Sequence, residues 1–489
     1  METLPCKLYT AAQLRELDLL ILEQENITGY TLMMRAGEAA FVQLRSYWPA
    51  AKNYLVVCGV GNNAGDGYVI ARLALTAGFN VQVYSLSDPG QLTDSALQAY
   101  QAFLEVHGQV QRDLARVNWS ADVLVDAIFG IGLSRPVTGM YAQVIDVINA
   151  SGIPVFSVDI PSGIDADTGM VMGKAVYADL TVTFIGLKQG LFTGKAVNYC
   201  GKIQFAKLAQ SDQVFTQIAC AVERIKHEPL PKRLRDTHKG EAGHVLIIGG
   251  ACGFSGAVML AGEAALSVGA GLVSIATRPE HAAFLNGQRP ELMCHAVKSV
   301  DELSELVEKA RVIVIGPGLG QSHWSRQLFN SLLTFEKPMI VDADALNLLA
   351  DQPIYKTNWI LTPHPGEAAR LLGISTESVQ QDRFAAVRAI QQRYGGIALL
   401  KGAGTLIADH ANVAIATTGN PGMASGGMGD VLSGIIAGLV SQGLVPIKAV
   451  QQGVYGHGWA ADRAVQQTGA ERGLLASDLM PYIRDFVNS

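Results

Sequence analysis

Short aliphatic and β-branched runs that end on glycine or an acid, each followed by a helix-like stretch, recur along this chain and pause once near its middle. The first series is YLVVCG, VQVYSL, DVLVDAIFG, PVFSVDI and LTVTFIG. Runs this short and apolar read as strands buried on both faces, and the helical stretches between them supply the crossovers that parallel pairing requires. Ahead of them, Leu14, Leu17, Ile21 and Leu22 recur at helical spacing and predict one amphipathic helix. From about Ala221 to Gly243 the pattern lapses into AVERIKHEPLPKRLRDTHKGEAG, with two prolines, many charges and little apolar periodicity, which predicts a linker. It restarts with HVLIIGG, GLVSIAT, RVIVIGPGLG, PMIVDADALNLL, WILTPHPGE and GIALLKGAGT. No solenoid period appears, and 489 residues exceed one ordinary core. The pattern predicts two α/β domains, 1–222 and 223–489, whose ligands sit beyond the carboxyl ends of the strands, where the glycine-rich loops fall.

Composition narrows the function classes. With 49% hydrophobic and 16% charged residues, the chain has ample surface to bury and no signature of extended disorder. A net charge of -6 leaves no basic footprint, so no nucleic-acid partner is expected. The six cysteines are scattered without metal-ligand spacing and point to a reducing compartment. The opening METLPCKLYTAAQLRELDLL lacks the basic-then-apolar order of a secretory signal. The apolar stretch Ala257 to Ala276 is interrupted by Glu263 and reads as a helix followed by a buried strand, so no membrane partner is expected either. A cytoplasmic enzyme is the expectation.

In the second half, GNPGMASGGMGDVLSG at 419–434 strips away side chains and then places one acid, Asp430, before an apolar run. Backbone amides converging at a helix N-terminus hold phosphate best where no side chain blocks the approach, which Gly426, Gly427 and Gly429 allow. A carboxylate there repels phosphate if binding is its only task. Its use is chemical: Asp430 can take the proton of a substrate hydroxyl as that oxygen attacks phosphorus. Close packing of glycines with Asp430 as a helix cap remains the structural alternative. KGAGT at 401–405, GPGLG at 316–320 and TPHPGE at 362–367, with His364 between two prolines, also follow strands. These four loops are expected on one sheet edge. No P-loop competes: GLFTGKA at 190–196 has Gln189 where the first glycine belongs and Ala196 where Ser or Thr is needed.

Taken in order, HKGEAGHVLIIGG, GAVMLAGEAALSVGAGLVSIAT, VIGPGLG, VDADALNLL, LTPHPGEAARLL, KGAGT and GNPGMASGGMGDVLSGIIAGL resemble the ADP- or ATP-dependent NAD(P)H-hydrate dehydratases of the ribokinase-like superfamily, over residues 238 to 480. Met428 fills the variable place of the G-x-G-D motif, where a small residue is frequent. The resemblance implies that Ala257, Gly318, His364 and Asp430 line the hydrated nicotinamide, that Lys401, Gly402, Ala403, Gly404, Thr405 and Gly429 hold ADP or ATP, and that Asp430 is the base. The implied reaction phosphorylates the ring hydroxyl, turning it into a leaving group that the neighbouring nitrogen expels. Magnesium is expected to bridge the nucleotide phosphates.

In the first half, GVGNNAGDG at 59–67 follows a strand and leads into a helix read as beginning near Tyr68. Its amides and Asp66 suit a monovalent cation or ribose and phosphate hydroxyls. Asp126 and Asp159 stand at the ends of later strands, Arg135 is available for phosphate, and Lys188 follows the last run. Either acid alone reads equally as a turn former. GNNAGDG, DAIFGIGL and VDIPSGIDADTG resemble the NAD(P)H-hydrate epimerases, over residues 8 to 215. That resemblance implies that Asn62, Asn63, Ala64, Gly65, Asp66, Gly130, Ile131, Gly132, Leu133, Ser134, Arg135 and Pro136 bind the hydrate. It also implies that Asn63, Asp126 and Ser162 contact potassium and that Asp159 is the acid/base. Lys188 would balance the negative charge.

The two resemblances together imply a Rossmann-like three-layer α/β sandwich fused to a ribokinase-like α/β domain. The expected function is metabolite repair, in which the first interconverts the R and S epimers of NAD(P)H hydrate and the second dehydrates the S epimer with ADP or ATP. A homo-oligomer is expected. A kinase of a small alcohol, or a nucleotide sensor without turnover, are the rival readings. The loops leave open ADP against ATP, NADH hydrate against NADPH hydrate, oligomeric state and channelling.

Overall fold

Along Asn53–Cys58, Tyr54, Val56 and Cys58 join one apolar cluster while Leu55 and Val57 join another. A strand with period-two side chains is thereby buried on both faces, which makes it the centre of a three-layer arrangement. In the computed structural model, which describes residues 4–489, this strand is central to the first of two compact units, divided after Val222. The sheet runs in the order Val110–Gln111, Asn80–Ser85, Asn53–Cys58, Val123–Ala127, Val155–Val158, Leu180–Phe184 and Lys202–Ala206. Every pairing is parallel. Helices Gly29–Tyr47, Asn62–Thr76 and Asp94–Glu105 fill one face through Ala40, Tyr68 and Phe103, and Gly139–Ala150 fills the other through Val144, Ile145 and Ile148.

Chain order reverses between Asn53–Cys58 and Val123–Ala127, and such a switch opens a crevice at the strands' carboxyl ends. A short parallel pair, Lys7–Tyr9 with Leu187–Lys188, sets Tyr9 opposite Lys188. The helix Ala11–Glu25 follows, closed by a Thr10–Gln13 capping box and burying Leu14, Leu17 and Ile21; Leu22 is half-buried.

The second unit is built on the strands Leu292–Ala296, Leu272–Thr277, His244–Ile248, Val312–Ile315, Met339–Val341, Trp359–Leu361 and Ile397–Leu400, parallel in that spatial order. Beyond them Thr405–Ala408 and Val413–Ala416 pair antiparallel, which the repeating alternation did not announce. Only four residues join these two strands, too few for a crossover, so the chain must turn back on itself. The apolar stretch from Ala257 divides into the helix Ser255–Ser267 and the strand Leu272–Thr277. Among the described residues no helix is long and apolar enough to cross a membrane.

Helix Ser255–Ser267 lies against Met428–Ser441, the helix that carries Asp430. Small residues make that approach close. A Cβ at Gly434 would overlap the Ala261 carbonyl, and one at Gly438 would lie 2.8 Å from the Ala265 carbonyl oxygen. Overpacking a core position costs about 1–3 kcal/mol. Gly434→Ala is therefore expected to lower the unfolding temperature of this unit in calorimetry, whereas Gly426→Ala, where a Cβ meets nothing within 4 Å, should leave it unchanged.

Candidate active sites

At the switch point of the first unit a cavity of about 940 Å³ is lined by residues of the Ala11–Glu25 helix, the start of the Asn62–Thr76 helix, the segment 128–135, and Asp159 with Lys188. Helix geometry begins at Asn62 rather than near Tyr68. The glycines of this stretch serve close packing: a Cβ at Gly65 would sit 2.5 Å from Met33 Sδ, and one at Gly67 2.6 Å from Ala127 Cβ. The N-cap, Gly61, offers no side-chain acceptor; Ala64 N donates to the Gly61 carbonyl at 3.0 Å, which leaves the amides of Asn62 and Asn63 for a ligand.

Asn62, Asn63, Asp66, Asp159 and each residue from Gly130 to Arg135 line the cavity. Ala64 and Gly65 instead face the packed interior, and Pro136 is exposed beyond the lining. Asn63 is buried with neither its amide nitrogen nor its oxygen bonded, and Gly130 lies against it. Asp126, fully buried at the end of its strand, accepts Ser162 Oγ at 2.6 Å, Ser162 N at 2.8 Å and Ser157 Oγ at 2.8 Å. Burial raises its pKa, and the Ser162 bonds hold that rise back.

Asp159 follows the neighbouring strand with φ of 69°, a left-handed backbone that few non-glycine residues adopt. Its Oδ1 takes a hydrogen bond from Lys188 Nζ, which also donates to Thr183 Oγ1 at 2.6 Å and the Phe184 carbonyl at 3.3 Å. The ammonium is almost wholly buried, so it needs this company. Two more acids face the same space. Asp66 is driven well above the usual carboxylate range by burial, then by Asp159 and Asp18. Asp18 is pushed to about 7 by burial and by Asp159. Sequence reading passed over Asp18, although an acid one turn from Leu14, on the apolar face of its helix, was a usable signal.

The second unit gathers its acids in a comparable way. Helix Met428–Ser441 starts from Gly427 at φ 90°, again without a side-chain cap, and Asp430 stands in its first turn. A Cβ at Gly429 would lie 3.2 Å from Lys401 Nζ. That ammonium bonds Asp342 Oδ1 at 3.1 Å and pairs with Glu367 at 3.9 Å. Burial lowers its proton affinity, but Asp342, Glu367 and Asp430 outweigh burial and the net shift is upward. Asp430 is raised to about 7 by burial and then by Asp342.

Asp342 itself is buried, accepting Thr362 Oγ1 and Ser433 Oγ at 2.7 Å each. It too escaped the sequence reading, though VDADA sets acids at a strand end just as Asp126 and Asp159 are set. His364 caps the helix Pro365–Leu372 through Nδ1, and Glu367 reaches back to its amide at 2.7 Å. Glu367 is lifted to about 7 by burial, against the pull of Lys401. The loop Lys401 to Thr405 turns around a buried guanidinium: Arg383 donates to the carbonyls of Leu400 at 3.2 Å, Lys401 at 3.3 Å and Gly404 at 3.4 Å. Within that loop Gly402 and Ala403 are exposed, and Thr405 Oγ1 bonds the Gly402 carbonyl at 3.0 Å. No sequence signal marked Arg383.

Gly318 lies against Phe254 and Ala257, with 3.3 Å from its Cβ position to Ala257 Cβ. The same glycine loop is tied to Asp344, which accepts Gly320 N at 2.8 Å and also raises Asp430. Asp430, Gly429, Lys401, Glu367 and His364 thus share one neighbourhood, while Ala257 and Gly318 form a contact pair beside it.

A family model described as NAD(P)H-hydrate dehydratase matches residues 245–485, and one described as YjeF-related protein N-terminus matches residues 29–190. The bifunctional NAD(P)H-hydrate repair enzyme Nnr of Coxiella burnetii is 50% identical over 486 residues, covering 98% of this chain and 99% of its own. Its Escherichia coli counterpart is 46% identical over 469 residues, covering 94% and 90%. Among solved structures, an ADP/ATP-dependent NAD(P)H-hydrate dehydratase from Bacillus subtilis, co-crystallised with ATP/Mg2+, is 31% identical with a TM-score of 0.48, covering 53% of this chain and 93% of its own. With such identity sustained from end to end, the chain belongs to the family of bifunctional NAD(P)H-hydrate repair enzymes.

Proposed function

We propose that residues 1–222 epimerise NAD(P)H hydrate at the 128–135 and Asp159 cavity, and that residues 223–489 dehydrate the S epimer at the Asp430 helix start. The enzyme is bifunctional, with an epimerase domain and an ADP/ATP-dependent dehydratase domain. The observation that carries the residue assignment is Asp430 in the first turn of an uncapped helix, beside the Lys401 ammonium.

In the dehydratase, the nucleotide's terminal phosphate is held by the amides of Gly427 to Gly429 with Lys401 alongside, and Gly402 to Thr405 border the rest of the nucleotide. Amides and an ammonium aimed where charge develops are the main source of rate in phosphoryl transfer. Asp430 accepts the proton of the ring hydroxyl. His364, Ala257 and Gly318 border the hydrated ring. Magnesium supplies charge neutralisation on the phosphates, and it needs only one or two protein carboxylates, for which the hard oxygens around Asp430 and Asp344 are suited.

In the epimerase, potassium fits beside Asn63, whose buried, unbonded carboxamide oxygen lacks a partner, with Asp126 and Ser162 completing the oxygen-rich surroundings. Such an ion supplies positive charge to orient the hydrate. Asp159, fixed by Lys188, moves the proton at the epimerising carbon. The free cysteines among the described residues support a cytoplasmic setting.

Asp430→Asn should lower dehydration by about 10²–10⁴-fold, the usual share of a general base, while nucleotide binding and epimerisation continue. Unchanged hydrate consumption by the purified variant would refute the assignment. Asp159→Asn should leave one epimer consumed only at its spontaneous rate; rapid loss of both epimers counts against it. Because the base acts ionised and Asp430 is raised to about 7, dehydration should fall as pH drops below about 7 and level off above it. A rate independent of pH across the span from about 5 to 8 contradicts this.

A further inference from the structure

Epimerisation breaks a carbon–oxygen bond next to a ring nitrogen and remakes it from the other face. Hydroxide leaves poorly, so the departing oxygen needs a proton while the nitrogen lone pair closes a C=N bond. The incoming water must then lose a proton on the opposite face. One carboxyl reaches one face of a ring held in a single pose, so inversion without turning the ring asks for a second group on the other.

The cavity holds a second carboxyl on another element. Asp18 lines it from the helix Ala11–Glu25, a different element from the strand end that carries Asp159. This helix is pinned beside the Lys188 strand: Tyr9 pairs with Lys188, and a Cβ at Gly186 would lie 2.8 Å from Leu14 Cδ2. Asp18 is one turn beyond Leu14 on the same face. Among the described residues its half-buried carboxyl accepts no hydrogen bond, and it lines the cavity. Asp66, the third acid, is 9% exposed and one turn from Asn63, which allies it with the hydrate-binding start of its helix.

We propose that Asp18 is the second proton-transfer residue of the epimerase, acting on the ring face opposite Asp159. The inference rests on the assignment of Asp159 above. In one direction the Asp18 carboxylic acid gives its proton to the departing hydroxyl, which leaves as water. The ring nitrogen carries the positive charge until a second water bonds to the carbon from the Asp159 side and passes its proton to that carboxylate. One proton moves from Asp18 to Asp159, solvent resets the pair, and no oxidant or reductant takes part. The environment divides the roles: burial and Asp159 favour the protonated form of Asp18 near neutrality, against Lys188 and Arg15, whereas Asp159 is bonded to the Lys188 ammonium.

The test compares Asp18→Asn, Asp18→Glu and Asp159→Asn in the full-length enzyme. Each epimer is resolved in 18O-labelled water, and thermal unfolding is followed in parallel. For Asp18→Asn, inversion should fall at least about 10²-fold, while one epimer still exchanges its hydroxyl oxygen with retained configuration through Asp159. Asp18→Glu should recover part of the inversion. Inversion by Asp18→Asn within about threefold of the parent overturns the proposal, as does equal loss of exchange in both epimers without rescue by glutamate. If Asp159→Asn alone abolishes inversion, only the role of Asp18 fails. If neither asparagine variant loses inversion, the reading of the whole cavity fails.

Discussion

In each unit a lysine ammonium, buried at Lys188 and half-buried at Lys401, stands at the carboxyl edge of a parallel sheet, and the surrounding chemistry is arranged around it. An unpaired ammonium in such a place costs several kcal/mol, so acids must accompany it. Lys188 is bonded to Asp159 and acts on Asp66 and Asp18; Lys401 is bonded to Asp342 and acts on Glu367 and Asp430. One cation among several carboxyls leaves surplus negative charge beside groups already short of water. Burial lifts Asp18, Glu367 and Asp430 to about 7 and the neighbouring acids add to the rise against the pull of the lysine, so that each carboxyl exchanges protons readily near neutral pH.

The backbone completes what the side chains begin. Gly61 and Gly427 each leave a helix start uncapped, so amides point at the same space as the acids. Field from the helix and the ammonium favours a phosphate, while the neighbouring carboxyl would repel one, and the balance suits an anion in transit more than one stored. In the second unit the close approach of Met428–Ser441 to Ser255–Ser267 fixes where that helix begins, and with it the position of Asp430. Packing far down the helix thereby bears on chemistry at its first turn.

The alternation of runs made both sheets legible, and loops closing strands such as Asn53–Cys58 and Ile397–Leu400 pointed to their carboxyl edges. What stayed hidden has a common cause. Asp18 and Arg383 act across the fold, and a charged residue in a helix looks solvated until the partner surface is known. The helix start at Asn62 was obscured because Gly65 and Gly67 imitate a loop while serving close contact with Met33 and Ala127. The antiparallel edge of the second sheet was hidden by runs of only four residues, TLIA and VAIA, below the length at which periodicity speaks.

The chemistry of the second unit depends on bare amides and Lys401 holding a migrating phosphoryl group beside Asp430. A crystal of the full chain with a non-hydrolysable ADP or ATP analogue puts this to the test. The terminal phosphate oxygens should lie within hydrogen-bond reach of the amides at Gly427 to Gly429, with Asp430 facing the phosphorus. A terminal phosphate bound elsewhere, with those amides turned to solvent, contradicts it.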